Sequence, residues 1–499
     1  MGHNEQKWEE KQRTAPLYEA LKRHTASKPH SFHVPGHKMG QSFDQESKAF
    51  FHNYLSIDMT EITGLDDLHQ PEGVIAQAQE LAAAAFDAEE TKFLIGGTTV
   101  GNLATILTVC RPGDKIIVQR NCHKSVYHGM VLAQAEPIYV IPAVDPETGL
   151  AAGVRREDVE RLLIEHPDAK AVFLTNPTYY GMGIDLEKMA TVVHRHNIPL
   201  LIDEAHGAHY GFHRSLPPSA MQCGVDVAIQ STHKMGTAFT MCSMLHIQGE
   251  RINRQRLYHY LAMLQSSSPS YPLMASLDLA RRHMVMEGSK EWTRAVALTD
   301  YAREELKKIP WLHVVQKQPN QVYQTSDPLK LVLTLRTSLL SGYDLQARLE
   351  EAGIYPELAD LHHVLLISSS GTTEEDIERL IKCMEQIHLQ IKQVATTTFE
   401  SGMVSSSFLR KKVFSMHEAI DARAETVPLE EATGRICVEM VIPYPPGIPL
   451  LTPGEEIDTQ VIRLLQELRD KNARFQGVAD GQMKTLRVVQ TEHERYGGK

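Results

Sequence analysis

The stretch from about residue 90 to 290 predicts an α/β fold, a mostly parallel sheet with helices on both sides, and a smaller α/β unit after it. Three observations predict this. Short β-rich runs alternate with helical patterns. Most of those runs are almost continuously apolar, as strands covered on both faces must be. The residues with chemical potential follow directly after the runs, where open α/β sheets bind their ligands.

Taken in order, APLYEALKRHTASKP (15–29) has helical spacing and stops at a proline, which predicts an N-terminal arm over residues 1–30. The strands of a large domain (31–310) are KFLIG (92–96), KIIVQ (115–119), PIYVI (137–141), AVFLT (171–175), PLLID (199–203) and VAIQS (227–231). A small α/β domain (311–393) holds strand LKLVLTL (329–335), a helix over 343–353, strand HVLLIS (363–368) and a helix over 374–388. The Ser/Thr-rich VATTTFESGMVSSS (394–407) reads as a linker or long loop opening a C-terminal subdomain (394–499). That subdomain adds a helical piece, strand CVEMVI (437–442), the turn-rich PYPPGIPLLTPGEE (443–456) and a helix over 457–471.

Bulk properties bound the function. With 499 residues there is room for two to four domains. A net charge of −11 argues against a nucleic-acid partner. The six scattered cysteines form no CxxC pair, which suits a reducing cytosol and offers neither a zinc site nor a disulfide framework. The N-terminus MGHNEQKWEEKQR has no signal- or transit-peptide pattern, and no run approaches the ~18 apolar residues of a membrane span. A cytoplasmic protein is expected.

The chemistry gathers around Ser231-Thr232-His233-Lys234, after the strand VAIQ. A desolvated lysine at a strand exit, flanked by hydroxyl and imidazole donors, suits imine formation with an aldehyde cofactor. Ser231 and His233 would meet the phosphate of such a cofactor. Taken singly, Ser-x-His-Lys reads as an ordinary loop lysine. It is not single. Upstream, PLLI delivers Asp203-Glu204-Ala205-His206 at another strand end. A buried carboxylate there would pair with a pyridine nitrogen and keep it protonated, and His206 would donate to a phenolic oxygen. A helix cap or metal ligand is the plainer role for such an aspartate.

Three more segments fit the same site. Ile95-Gly96-Gly97-Thr98-Thr99-Val100-Gly101-Asn102 turns into the helix LATILTVC. Backbone N–H groups around Gly97, with the Thr98 and Thr99 hydroxyls, make a phosphate cradle or simply a capped helix. In Asn121-Cys122-His123-Lys124-Ser125, His123 would stack on a flat ring, where a cap is the plainer role. Asn176-Pro177-Thr178-Tyr179-Tyr180-Gly181 brings Thr178 to the end of a further strand.

These residues resemble the fold-type I pyridoxal-phosphate enzymes, and specifically the bacterial ornithine/lysine/arginine decarboxylase family. The resemblance runs from about Pro16 to the C-terminus. Its most discriminating pieces are His33-Val34-Pro35-Gly36-His37-Lys38 and the turn PYPPGIP (443–449). It implies pyridoxal 5'-phosphate as cofactor, Lys234 as the imine lysine, Asp203 as partner of the ring nitrogen and His123 as the stacking imidazole. Thr98, Thr99, Ser231 and His233 would serve the phosphate. Leu264 to Tyr271 resembles the family loop that reaches a neighbouring subunit's cofactor phosphate, so Ser267 or Ser268 would act across a homodimer or a dimer of dimers.

The resemblance further implies decarboxylation of a basic amino acid. Arginine ranks first because the wing domain that precedes the PGHK segment in the large inducible enzymes is not expected here, as in short enzymes that feed polyamine synthesis. His37 and Glu357 are the candidate substrate contacts. The proton returned to Cα would come from Lys234 or His233. Thr240-Met241-Cys242-Ser243 departs from the family pattern after the lysine and marks a divergent subgroup. Two other readings share some of these residues: an α-oxoamine synthase, and a catalytically silent homologue with a regulatory role.

Overall fold

The computed structural model describes residues 3–316, 320, 322–391, 410–444, 447–471 and 473–490. The expected linker over 394–407 lies outside them. The chain forms two compact units: residues 1–109 with 186–293, and residues 110–185 with 294–499. The expected large domain (31–310) is therefore shared between the units, whereas the expected small and C-terminal domains both fall in the second.

In the first unit, Glu90–Leu94 pairs with Ser243–Ile247, which pairs with Val227–Gln230, which pairs with Leu200–Asp203. The last pair is parallel, and Ser243–Ile247 runs antiparallel to both its neighbours. Every residue of the strands Leu200–Asp203, Val227–Gln230 and Ser243–Ile247 is buried, as their apolar runs require. Helix Gly97–Val109 lies close against this sheet because Gly101 has no side chain. A Cβ there would stand 2.6 Å from Ile229 and 2.9 Å from Leu94.

The N-terminal arm is tied down by a buried ion pair. Helix Pro16–Ala26 has no side-chain cap of its own. Asp278, on helix Tyr271–Met286, accepts instead from Leu17 N at 3.1 Å, while Arg281 donates to the Thr14 carbonyl at 2.6 Å. Asp278 and Arg281 are both fully buried and meet at 2.7 Å. Around them pack Leu17, Leu21, Ile75, Tyr271 and Met274.

In the second unit, strand Lys115–Gln119 pairs in parallel with Glu136–Val140 and with Val172–Thr175. A separate four-stranded antiparallel sheet runs Leu358–Ala359, His363–Ile367, Lys330–Leu335, Leu312–Val314. Helices Gly342–Glu351 and Glu374–Gln390 share its core, and each opens with a capping box. The C-terminal residues have their own core around Leu429, Val441, Leu451, Val461 and Val488. The strand expected over 437–442 is broken up. Ile436, Cys437 and Val441 bridge singly to Glu456, Val488 and Leu451, and regular pairing covers only Ile442–Tyr444. Three different partners along one run leave no continuous ladder.

Candidate active site

Asp203 closes the strand Leu200–Asp203 in register with Ile229, so the next strand delivers Ser231 and the short helix Thr232–Met235 beside it. The Asp203 carboxyl is 3% exposed. It accepts from Asn102 Nδ2 at 2.9 Å and from Ala205 N at 3.1 Å. Burial raises its pKa, and the Asn102 hydrogen bond, the Lys234 charge and the Ala205 N–H only partly offset that. This is a carboxyl that favours a cationic or N–H-bearing partner.

Lys234 Nζ lies 2.9 Å from Nε2 of buried His206. His233, its neighbour, donates from Nδ1 to the Cys242 carbonyl at 2.8 Å, which turns Nε2 the other way. Thr98 Oγ1 meets Ser231 Oγ at 3.1 Å. That contact brings together two groups expected at one phosphate. Helix Gly97–Val109 begins earlier than the sequence suggests, so Thr98 and exposed Thr99 sit in its first turn. The first-turn N–H groups have no partner within the helix and suit an anion.

Of the other expected residues, His123, Thr178 and Glu357 belong to the second unit. His123 is the N-cap of helix Lys124–Ala133; its Nδ1 accepts from Ser125 N at 3.3 Å and stands 2.8 Å from the Ser125 hydroxyl. Buried Thr178 accepts from Met182 N at 3.3 Å, closing the turn after Val172–Thr175. Tyr180 donates to Asp360 at 2.8 Å, and Asp360 faces His363 Nδ1 at 2.8 Å. Burial works against the Asp360 carboxylate, but the His363 charge and these hydrogen bonds hold its pKa down at about 2. Glu357 is exposed just before Leu358–Ala359.

Two expected contacts have local duties. His37 accepts at Nδ1 from Gly40 N (3.0 Å) and donates from Nε2 to Asp58 (3.1 Å), so both ring nitrogens shape their own loop. Ser267 and Ser268 are exposed in a loop whose preceding residue, Ser266, accepts from His69 at 2.8 Å. Sequence reasoning assigned no role to Asn102. The signal was an amide inside the otherwise apolar helical run that follows the glycines. Among the described residues no group of three or more His, Cys, Asp or Glu is placed to hold a metal ion, and no helix is long and apolar enough to cross a membrane.

The sequence matches the family described as Orn/Lys/Arg decarboxylase, its major domain over residues 15–376 and its C-terminal domain over 393–496. An arginine decarboxylase of Bacillus subtilis (strain 168) is 38% identical, covering 96% of this chain and 99% of its own. The uncharacterized protein YaaO of the same strain is 42% identical over the same shares of the two chains. The crystal structure of the Francisella novicida lysine decarboxylase LdcF superposes with a TM-score of 0.83 at 22% identity, covering 95% of this chain and 81% of that one, which shows a common fold.

Proposed function

Because the chain belongs to the Orn/Lys/Arg decarboxylase family, we propose that it is a pyridoxal 5'-phosphate-dependent carboxy-lyase acting on arginine, with lysine and then ornithine ranked behind. The observation that carries this reading is the pairing of buried Asp203 with the Lys234–His206 amine–imidazole contact at adjacent strand ends.

The donor set fits the cofactor. A buried carboxyl that favours a cationic partner suits the ring nitrogen, the Lys234 amine suits the aldehyde carbon, and His206 suits the phenolic oxygen. Thr98, Thr99, Ser231, His233 and the helix start at Gly97 would serve the phosphate, and Thr178 is a further cofactor contact in this reading. When bound, the cofactor supplies an electron-accepting ring conjugated to the substrate's Cα. The chain's own task is orientation. In this reading Asp203 would keep the ring nitrogen protonated, His123 would stack on the ring, and the bound substrate would be oriented so that its carboxylate is the group lost. Lys234 Nζ or His233 Nε2 would return the proton to Cα that replaces the lost carboxylate. The Nδ1 bond of His233 to Cys242 O supports the second donor, since it orients Nε2.

The distal cation of the substrate needs an anion, because leaving it buried and unpaired costs several kcal/mol. Exposed Glu357 takes that role in this reading, and a guanidinium would meet it through two hydrogen bonds. Carbon dioxide release should be measured on arginine, lysine, ornithine and norleucine. Arginine is expected to lead, and Glu357→Gln to raise KM for it roughly ten-fold with little change in kcat. Equal catalytic efficiency on norleucine sinks the basic-substrate reading; a lysine preference sinks only the ranking.

The reading includes a cytoplasmic homodimer, or a dimer of dimers, in which Ser267 or Ser268 serves the partner's cofactor phosphate. Phe32, Val34 and Phe50 are 97, 65 and 82% exposed, apolar surface that a second subunit would cover in this reading. Sedimentation and turnover should be followed together on dilution. Activity is expected to fall as the dimer dissociates, and a fully active monomer is the contrary result.

A further inference from the structure

The end of the turn PYPPGIP lies against His123 and Arg120, through Gly447 and Pro449. We propose that the backbone of residues 447–450 is a wall that positions the His123 imidazole, held in place by a buried Arg120–Glu455 clasp. This rests on the reading that His123 stacks on the cofactor ring.

The imidazole is held at both edges. On one side, Nδ1 takes the Ser125 N–H and meets the Ser125 hydroxyl. On the other stands Gly447, at φ +87°, where a Cβ would be in ordinary van der Waals contact with the ring, 3.5 Å from His123 Cδ2 and 3.6 Å from Nε2. The Gly447 carbonyl accepts from Lys124 N at 3.3 Å, which joins the turn to the first residue of the helix that His123 caps. A left-handed φ favours glycine at this turn.

The clasp lies immediately beyond. Arg120, at the exit of the strand that leads to His123, is 1% exposed. Its Nη1 donates to the Pro449 carbonyl at 2.9 Å, and its Nη2 reaches both Glu455 oxygens at 3.2 and 3.3 Å. The Arg120 guanidinium also donates to Tyr127, on the helix that His123 caps, at 2.7 Å. Glu455 accepts in addition from Thr452 N at 2.8 Å, and Arg410 donates to the Leu450 carbonyl at 3.0 Å. Arg120 and Arg410 therefore bind successive carbonyls of one short segment. The turn is thus held at its carbonyls by Arg120, which Glu455 anchors, while Gly447 borders the His123 edge. Misplacing a stacked group by about 1 Å is enough to cost up to ~100-fold in rate, so the wall bears on chemistry through His123.

The test uses the holoenzyme with Gly447→Ala and Glu455→Gln. Gly447→Ala strains the turn and puts a methyl against the ring edge. Glu455→Gln removes the carboxylate that anchors Arg120. Each is expected to alter the visible circular dichroism of bound cofactor and to weaken cofactor affinity roughly ten-fold. Each should also lower kcat more than it raises KM, and Glu455→Asp should recover part of the loss. A lowered melting temperature with unchanged cofactor dichroism and affinity makes the segment purely structural and overturns the proposal.

Should the variants not fold, hydrogen exchange on the wild-type chain decides. Cofactor addition is expected to slow exchange of the Lys124 amide, which is bonded to Gly447 O. No change there overturns the proposal. Failure of the functional reading itself looks different: the wild-type chain then binds no pyridoxal phosphate, whereas here binding persists and Gly447→Ala is simply indifferent.

Discussion

Lys234→Ala is expected to lose both the borohydride-bleachable visible absorbance of the cofactor-loaded protein and its turnover, the latter by roughly 10³-fold or more. The argument is positional. The Lys234 amine stands at the strand exit beside His206, one residue from His233, with Ser231 and Thr98 already in contact behind it. Removing the side chain deletes the only group assigned both to anchor the aldehyde and to return a proton. Phosphate contacts through Thr98, Ser231 and the helix start should survive, so weak cofactor retention on gel filtration is compatible with the assignment. A wild-type-like absorbance and rate in the variant would refute it.

Asp203→Asn should lower kcat by about 10² to 10³, the usual cost of losing one preorganised charge partner of the reacting group. The amide keeps the shape and can still accept from Asn102, but it cannot hold a proton on a ring nitrogen. The same change should make the cofactor-free protein more heat-stable at neutral pH. The sign follows from linkage. Burial raises the Asp203 pKa in the folded state, so ionising it is harder folded than unfolded. Folded-state stability is therefore full below the unfolded value and declines as pH rises from there through the folded value. Asparagine removes that loss above the window. Melting curves of the cofactor-free proteins across acid to neutral pH, beside rate measurements, check both halves. An unchanged rate leaves Asp203 with a structural role only.

How much of this was readable beforehand varies element by element. The runs KIIVQ and PLLID announce buried strands because an apolar run bounded by turn residues has few other uses. The placement of Asp203, His123, Thr178 and Lys234 just past such runs was readable for the same reason. SMLHI (243–247) went unassigned: His246 interrupts it, yet that ring is fully buried, pairing with Gln230 at 3.0 Å. Nothing local in the sequence marks that strand as antiparallel to its neighbours.

The residue types alone determined that a lysine, an aspartate and several hydroxyls would stand at strand ends, because periodicity and turn chemistry are local. Only the tertiary structure decided what each of them touches. Asn102 reaches Asp203 across 101 residues of chain, Arg120 reaches Glu455 across 335, and Asp278 caps Leu17 across 261. It also committed His37 to Gly40 and Asp58, and left Glu357, Ser267 and Ser268 in solvent. Such pairings depend on how distant segments pack, and a buried polar group settles on whichever partner that packing brings within about 3 Å.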